Sequence, residues 1–191
     1  MNYPDLRFAV ETFYQKGNSK IYYNEDLTPS HVAAGTGSAL LYSLLIKVHE
    51  KTQNKFFLPY DCEGFTPFHY AASNGHTNIC ENIIDAMTDK NPGAFDGWTP
   101  LHLAAINGHF QICKLIMDTL EDKNPALSKG YTPLHGAAMY GQYEACKLIL
   151  ENIQDKMPKW CRMTPHDLAA RGNHHEVCQL FEVLVVEQTL L

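Results

Sequence analysis

Thr99-Pro100-Leu101-His102-Leu103-Ala104-Ala105-Ile106-Asn107-Gly108-His109 is the stretch on which the reading of this chain turns. Its Thr-Pro-x-His-x-Ala-Ala core recurs from Thr28, Thr66 and Thr132, and degrades to Thr-Pro-His-Asp-Leu-Ala-Ala from Thr164. Successive copies are 38, 33, 33 and 32 residues apart. A nearly fixed period of this length marks a solenoid of stacked helix pairs. Such chains bury a continuous core and offer a long surface to a partner, which points away from catalysis.

Each slot of the unit has a physical reason. Thr is a good helix N-cap, because its hydroxyl accepts from an orphan backbone N–H. Pro follows at the first helical position, where no N–H is needed. His falls at the third helical position, from which a side chain reaches back to the cap. The paired alanines keep this first helix thin, so that neighbouring copies approach closely. Gly75, Gly108 and Gly141 end it and allow a tight turn into a second helix. The second helix has an apolar side: Ile79, Ile83, Ile84 and Met87 in one copy, Ile112, Leu115, Ile116 and Leu120 in the next.

Composition narrows the function classes. The chain has 191 residues, 45% hydrophobic and 19% charged, and reads as globular. A net charge of −6 argues against a general binder of nucleic acid or of anionic membranes. The start, Met1-Asn2-Tyr3-Pro4, lacks the basic-then-apolar pattern of a signal peptide. No apolar run reaches the ~18–20 residues of a spanning helix. Of six cysteines, Cys80, Cys113, Cys146 and Cys178 recur at steps of 33, 33 and 32 residues, one slot per copy. Neighbouring helices pack about 8–10 Å apart, beyond disulfide reach, so these four are expected as small buried hydrophobes. Cys62 and Cys161 fall in loops two copies or more apart and are not expected to pair. Six unpaired thiols imply a reducing, cytoplasmic setting.

The 99–109 stretch, Thr66-Pro-Phe-His-Tyr-Ala-Ala-Ser-Asn-Gly-His and Thr132-Pro-Leu-His-Gly-Ala-Ala-Met-Tyr-Gly-Gln closely resemble the ankyrin repeat. The resemblance covers about residues 22–187. It implies an all-α ankyrin-repeat solenoid of antiparallel helix pairs joined by hairpin loops that project to one side. On this reading the chain is one domain. Residues 1–21 form an N-terminal helical cap, 22–60 repeat 1 with a longer loop, 61–93 repeat 2, 94–126 repeat 3, 127–158 repeat 4, and 159–191 repeat 5 with a C-terminal cap.

The chain departs from the family where the second helix closes. There the family has Gly, then Ala-Asp-Val-Asn-Ala. Here the stretches are Met87-Thr-Asp-Lys-Asn-Pro, Leu120-Glu-Asp-Lys-Asn-Pro and Ile153-Gln-Asp-Lys-Met-Pro. Asn91 and Asn124 match the family's loop Asn, but Met87, Leu120, Ile153 and Val185 hold the Gly slot. Bulky residues enter the left-handed conformation at a cost. The second helix is therefore expected to run on about one more turn, burying these side chains, until Pro92, Pro125 and Pro158 stop it.

The ends differ from the middle. Residues 5–16 read as a lone amphipathic helix (Leu6, Ala9, Val10, Phe13) over the first repeat. Five extra residues within 52–59 lengthen the first inter-repeat loop, where Phe56-Phe57-Leu58 is sticky. The chain closes with Val183-Leu-Val-Val and Leu190-Leu191. That is either a helix buried on one side or an apolar end that takes a partner, through which a monomer becomes a dimer.

No catalytic, metal or cofactor site is expected. His31, His69, His102 and His135 share one slot, so successive copies lie about 10 Å apart, too far for ligands that must come within about 2.1 Å of one zinc. His76, His109 and His174 begin second helices and are read as structural. Cys161, beside Lys159 and Arg162, is the most plausible exposed thiol, but no orienting group accompanies it. There is no phosphate-binding Gly-rich loop, no Cys-x-x-Cys and no paired-carboxylate signature.

A binding role has a positive signal. The residues before each Thr-Pro are Leu27, Phe65, Trp98, Tyr131 and Met163. By resemblance this slot lies on the concave side, where Phe95, Trp160, Ile106, Asn107, Met139, Tyr140 and Arg171 occupy other contact slots. Trp, Tyr and Arg dominate interface energetics. The alternative is that these rings simply cover neighbouring hairpins. Glu63 and Asp96 flank one half of the stripe; Lys129, Lys159, Arg162 and Arg171 flank the other. The chain is thus expected to bind another protein or peptide through its concave face, without nucleic acid or membrane. An adaptor or scaffold using the C-terminal helix, and an effector from a symbiont, pathogen or virus acting on host proteins, remain alternatives.

Overall fold

The computed structural model describes residues 27–51 and 59–189. They contain ten α-helices in five consecutive pairs: Pro29–Gly35 (α1) with Ala39–Lys51 (α2), Pro67–Ser73 (α3) with Thr77–Ala86 (α4), Pro100–Ile106 (α5) with Phe110–Met117 (α6), Pro133–Met139 (α7) with Tyr143–Asn152 (α8), and Pro165–Arg171 (α9) with His175–Thr189 (α10). Strand-like pairing among the described residues is confined to an isolated bridge between Trp160 and Met163. The expected all-α solenoid class is observed. The chain forms two compact units divided between Met87 and Thr88. In the first, α1 packs on α3 and α2 on α4; in the second, α5, α7 and α9 pack in order, with α6, α8 and α10 behind them.

The start of each first helix is built as the motif requires. Thr28 and Thr132 donate their backbone N–H to Nδ1 of His31 and His135 at 3.1 and 3.2 Å, and Thr99 Oγ1 lies 2.9 Å from His102 Nδ1. Asp167 does the same work in the last copy, its Oδ2 accepting from Thr164 N and Oγ1 at 2.8 Å. These bonds hold the exposed Asp167 carboxyl below the usual carboxylate range. The paired alanines from 33–34 to 137–138 are fully buried. The turn into the second helix passes through a left-handed residue: Gly37, Gly75, Gly108 and Gly141, with φ between 70° and 80°. In the last copy Asn173 (φ 58°) takes that position, which Asn tolerates better than most residues.

Cys80, Cys113 and Cys146 are buried, as expected, and burial pushes each thiol up to about 12. Cys178 is half-buried, while Cys62 and Cys161 are exposed. In α10, Val177 and Phe181 are buried and Val183 is 57% exposed. No helix among the described residues is long and apolar enough to cross a membrane. The helix expected over residues 5–16 and the loop insertion with Phe56, Phe57 and Leu58 lie outside the described residues.

One expectation is overturned at three of its four positions; only the last second helix, α10, runs on past its glycine-slot residue, Val185, to Thr189. The second helices do not run on past Met87, Leu120 or Ile153: α4 stops at Ala86, α6 at Met117 and α8 at Asn152. None of these three side chains is buried. Met87 (φ −93°, ψ 150°) and Ile153 (φ −117°, ψ 155°) leave the helix in extended backbone, where a bulky residue carries no left-handed penalty.

A loop cassette then replaces the family's glycine. Lys123 Nζ donates to the carbonyl of Met117 and Lys156 Nζ to that of Leu150, covering helix-end acceptors. Asp89, Asp122 and Asp155 each accept at Oδ1 from the backbone N–H two residues on, at 3.0 Å. Asn91 and Asn124 reach forward, their Oδ1 accepting from Leu101 N and Leu134 N at 3.1 Å. Those two N–H groups are orphans of the next first helix, so one loop caps the helix behind it and the helix ahead.

Candidate functional site

The hairpins that precede the first helices carry the expected aromatic residues. Each is pinched by short backbone bonds: Asp61 N to Phe65 O at 3.0 Å, and Ala94 N to Trp98 O and Leu127 N to Tyr131 O at 2.7 Å. A left-handed glycine sits just before the closing residue (Gly64, Gly97 and Gly130, φ 84–90°). The last hairpin is one residue shorter. Trp160 and Met163 exchange both backbone bonds, at 2.9 and 2.8 Å, around Cys161 and Arg162, which both have positive φ (50° and 68°). This is a two-residue turn, a geometry that normally recruits Asn and Gly.

In the second unit aromatic side chains from the hairpins form a row: the closing residues Trp98 and Tyr131, and Trp160, which opens the last hairpin. The Trp98 and Tyr131 rings are 5.5 Å apart, and Tyr131 meets Trp160 edge-on at 4.9 Å. Histidines of the first helices back them: Trp98 stands edge-on to His102 at 5.6 Å, and Tyr131 stacks on His135 at 5.7 Å. Tyr131 is only 8% exposed. Burial pushes its phenol up to about 12, with Tyr140 adding to the effect. Tyr131 is thus the packed centre of the row, and Trp98 and Trp160 are its half-buried flanks.

The other expected contact residues of this unit fall around that row. Phe95, at a hairpin tip, is 77% exposed; Met139 and Tyr140, at the end of α7, are 42% and 55% exposed. Asn107 and Arg171 are exposed at the ends of α5 and α9, and Met163 is half-buried where it closes the last hairpin. Ile106 is half-buried because α7 carries Gly136 opposite it. A Cβ at Gly136 would lie 2.5 Å from Ile106 Cγ1 and 3.2 Å from the Tyr131 hydroxyl, so the glycine admits both. In the first unit Phe65 is half-buried and stands edge-on to His69 at 5.2 Å. There the Tyr70 hydroxyl donates to the buried Asp61 carboxylate at 2.7 Å.

Two features of this side were not anticipated. The residues just before the second helices reach back across the repeat boundary. His76 Nε2 lies 3.1 Å from Gly35 O, Gln142 Nε2 donates to Ile106 O at 3.0 Å, and His174 Nε2 lies 3.1 Å from Met139 O. These carbonyls end first helices, so the bonds fix the segments that present Ile106 and Met139. The second feature is that Nε2 of His102 and of His135 is buried without a hydrogen-bond partner among the described residues. Burial lowers the His102 ring to about 4 and also lowers His31 and His135. His102 and His135 are therefore neutral packing groups under the row, while His31 Nε2, in the first unit, lies 3.0 Å from Phe65 O. Among the described residues no three His, Cys, Asp or Glu side chains are grouped to hold a metal ion.

A family model described as ankyrin repeats (3 copies) matches residues 5–94, 83–159 and 121–183. Over 86 residues the chain is 36% identical to the ARF GTPase-activating protein Git of Drosophila melanogaster. That alignment covers 44% of this chain and 10% of that protein, so the chain matches about a tenth of that relative's length.

Proposed function

The chain belongs to the ankyrin-repeat family, whose members generally act as protein–protein interaction modules, and from that premise we propose that it binds a partner protein or peptide, without catalysis, on the side that carries the aromatic row. The observation that carries this reading is the row of Trp98, Tyr131 and Trp160, with Tyr140 close enough to act on the Tyr131 phenol, together with the exposure of Phe95, Met139 and Tyr140 in the same repeats. Packing explains the buried Tyr131. It does not explain large apolar side chains left in water at a hairpin tip and at the end of α7, which is the usual composition of an interface core.

Rigid display supplies the mechanism. The row is ordered before a partner arrives, so binding does not have to offset the entropy of fixing those rings. Met163 occupies the matching hairpin position in the last repeat and belongs to the same proposed surface, with Ile106, Asn107 and Arg171; Phe65, at the matching position in the first unit, is proposed as a contact residue of that unit. The exposed thiols Cys62 and Cys161 fit a reducing, cytoplasmic setting. The test is capture of the natural partner from a lysate of the source organism. Joint replacement of Trp98 and Tyr140 by Ala should weaken capture more than tenfold while helix content by circular dichroism stays unchanged. Equal capture by both forms would refute the proposed surface.

A further inference from the structure

The charge pattern around the row identifies the chemistry of its partner, an inference that rests on the surface proposed above. Residues 125–143, which hold the repeat-4 hairpin and α7, contain no Asp or Glu, and neither do residues 156–166, which hold the repeat-5 hairpin. The same stretches carry Lys129, Lys159 and Arg162, all exposed, and the exposed Arg171 ends α9. The acidic residues of repeat 4 are Glu144 and Glu151 on α8 and Asp155 in the loop that follows it, the last close enough to His135 to act on its ring, and the exposed Asp167 lies within electrostatic reach of Arg171 on α9. In a chain of net charge −6, the two hairpins themselves thus carry Lys129, Lys159 and Arg162 with no acidic residue among them.

The two hairpins touch. A side chain at Gly130 would place its Cβ 2.6 Å from the carbonyl oxygen of Lys159, so the backbones of the two tips abut there. This brings Lys129, Lys159 and Arg162 into one neighbourhood, with Trp160 beneath it against Tyr131. Two of these cations also sit where the backbone disfavours them: Lys129 has φ 73° and Arg162 has φ 68°. Gly or Asn would adopt those angles at lower cost. Long cationic side chains at strained tip positions contribute nothing visible to the packing, which fits display to a ligand.

We propose that the hairpins of repeats 4 and 5 bind an acidic peptide segment of the partner protein, with carboxylates against Lys129, Lys159 and Arg162 and an apolar side chain against Trp160 and Tyr140. Charge complementarity orients the segment and speeds encounter, and the aromatic row holds it. The overall negative charge of the chain repels nucleic acid at long range, which favours a short acidic peptide over a polyanion.

The test pans a random dodecapeptide phage library against the full chain at 150 mM salt and measures the enriched peptides by fluorescence anisotropy. Enriched peptides should carry an excess of Asp and Glu around an apolar residue. Lys129→Glu/Lys159→Glu/Arg162→Glu should weaken them at least tenfold and flatten the salt dependence of Kd. Tyr140→Ala should weaken them as well, and all variants should keep the wild-type circular dichroism spectrum. Enriched peptides that need Tyr140 but are neutral, or that ignore the charge reversal, would overturn the acidic assignment and leave the proposed surface standing. Peptides indifferent to both sets of changes, or no enrichment at all, would overturn both. Tighter binding of a 20-nucleotide single-stranded DNA than of the best peptide would also overturn the acidic-peptide assignment.

Discussion

Acidification should destabilise this protein well above the range in which carboxylates titrate, and His102 shows why. Its ring is buried, Nδ1 faces Thr99 Oγ1 at 2.9 Å, and Nε2 has no partner among the described residues. Burial lowers its pKa from 6.5 to about 4. The unfolded chain therefore binds a proton at this position near pH 6.5, and the folded chain only near pH 4. The stabilising difference is fully present above pH 6.5 and disappears as pH falls toward 4. A gap of this size corresponds to about 3 kcal/mol in all, and about 2 kcal/mol of it is lost by pH 5. His31 and His135 shift the same way and add to the loss. Urea unfolding followed by circular dichroism should show stability falling by at least about 2 kcal/mol between pH 8 and pH 5. The His102 ring resonances, assigned with His102→Asn, should not titrate above pH 5. Flat stability across that range, or a His102 midpoint above pH 6, would refute the reasoning.

Two further outcomes follow from the backbone and the thiols. Gly141→Ala forces an L-residue to φ 70° and sets its Cβ 2.4 Å from His174 Nδ1, displacing a ring whose Nε2 lies 3.1 Å from Met139 O. It should cost about 2–3 kcal/mol in urea unfolding, from left-handed strain plus a lost hydrogen bond, whereas Asn173→Gly in the equivalent turn should change stability by less than about 1 kcal/mol. Equal effects of the two substitutions would contradict this account of the turn. With Ellman's reagent at pH 8, Cys62 and Cys161 should react in the native protein, and Cys80, Cys113 and Cys146 only in denaturant; rapid native labelling at any of those three would contradict their burial.

Much of this was legible in the sequence because each part of the motif acts over three or four residues. Thr, Pro and His at fixed offsets specify a capped helix start, and Gly after the alanines specifies a left-handed turn. The helix ends were misread for a physical reason. A bulky residue in a glycine slot need not extend the helix; it can leave in extended backbone while a lysine several residues on covers the exposed carbonyls. Asp-Lys recurs at Asp89-Lys90, Asp122-Lys123 and Asp155-Lys156, so the signal was present in the sequence. Its action through a long side chain onto the preceding helix is invisible to period and propensity. The aromatic row was likewise only half legible. The slot of Trp98 and Tyr131 was clear. That Trp160 joins them follows from a hairpin shortened by one residue, and that Tyr131 is enclosed depends on its two neighbours and on Gly136.

The most direct test of the central claim is residue-resolved mapping of a bound ligand. Amide and indole N–H shifts should be recorded by ¹H–¹⁵N correlation while the isotope-labelled chain is titrated with its tightest selected peptide. The account predicts that the largest shifts fall on the Trp98 and Trp160 indoles, Tyr140, Arg162 and Arg171. Shifts concentrated on the outer helices Phe110–Met117 and Tyr143–Asn152, with both indoles unmoved, would contradict it.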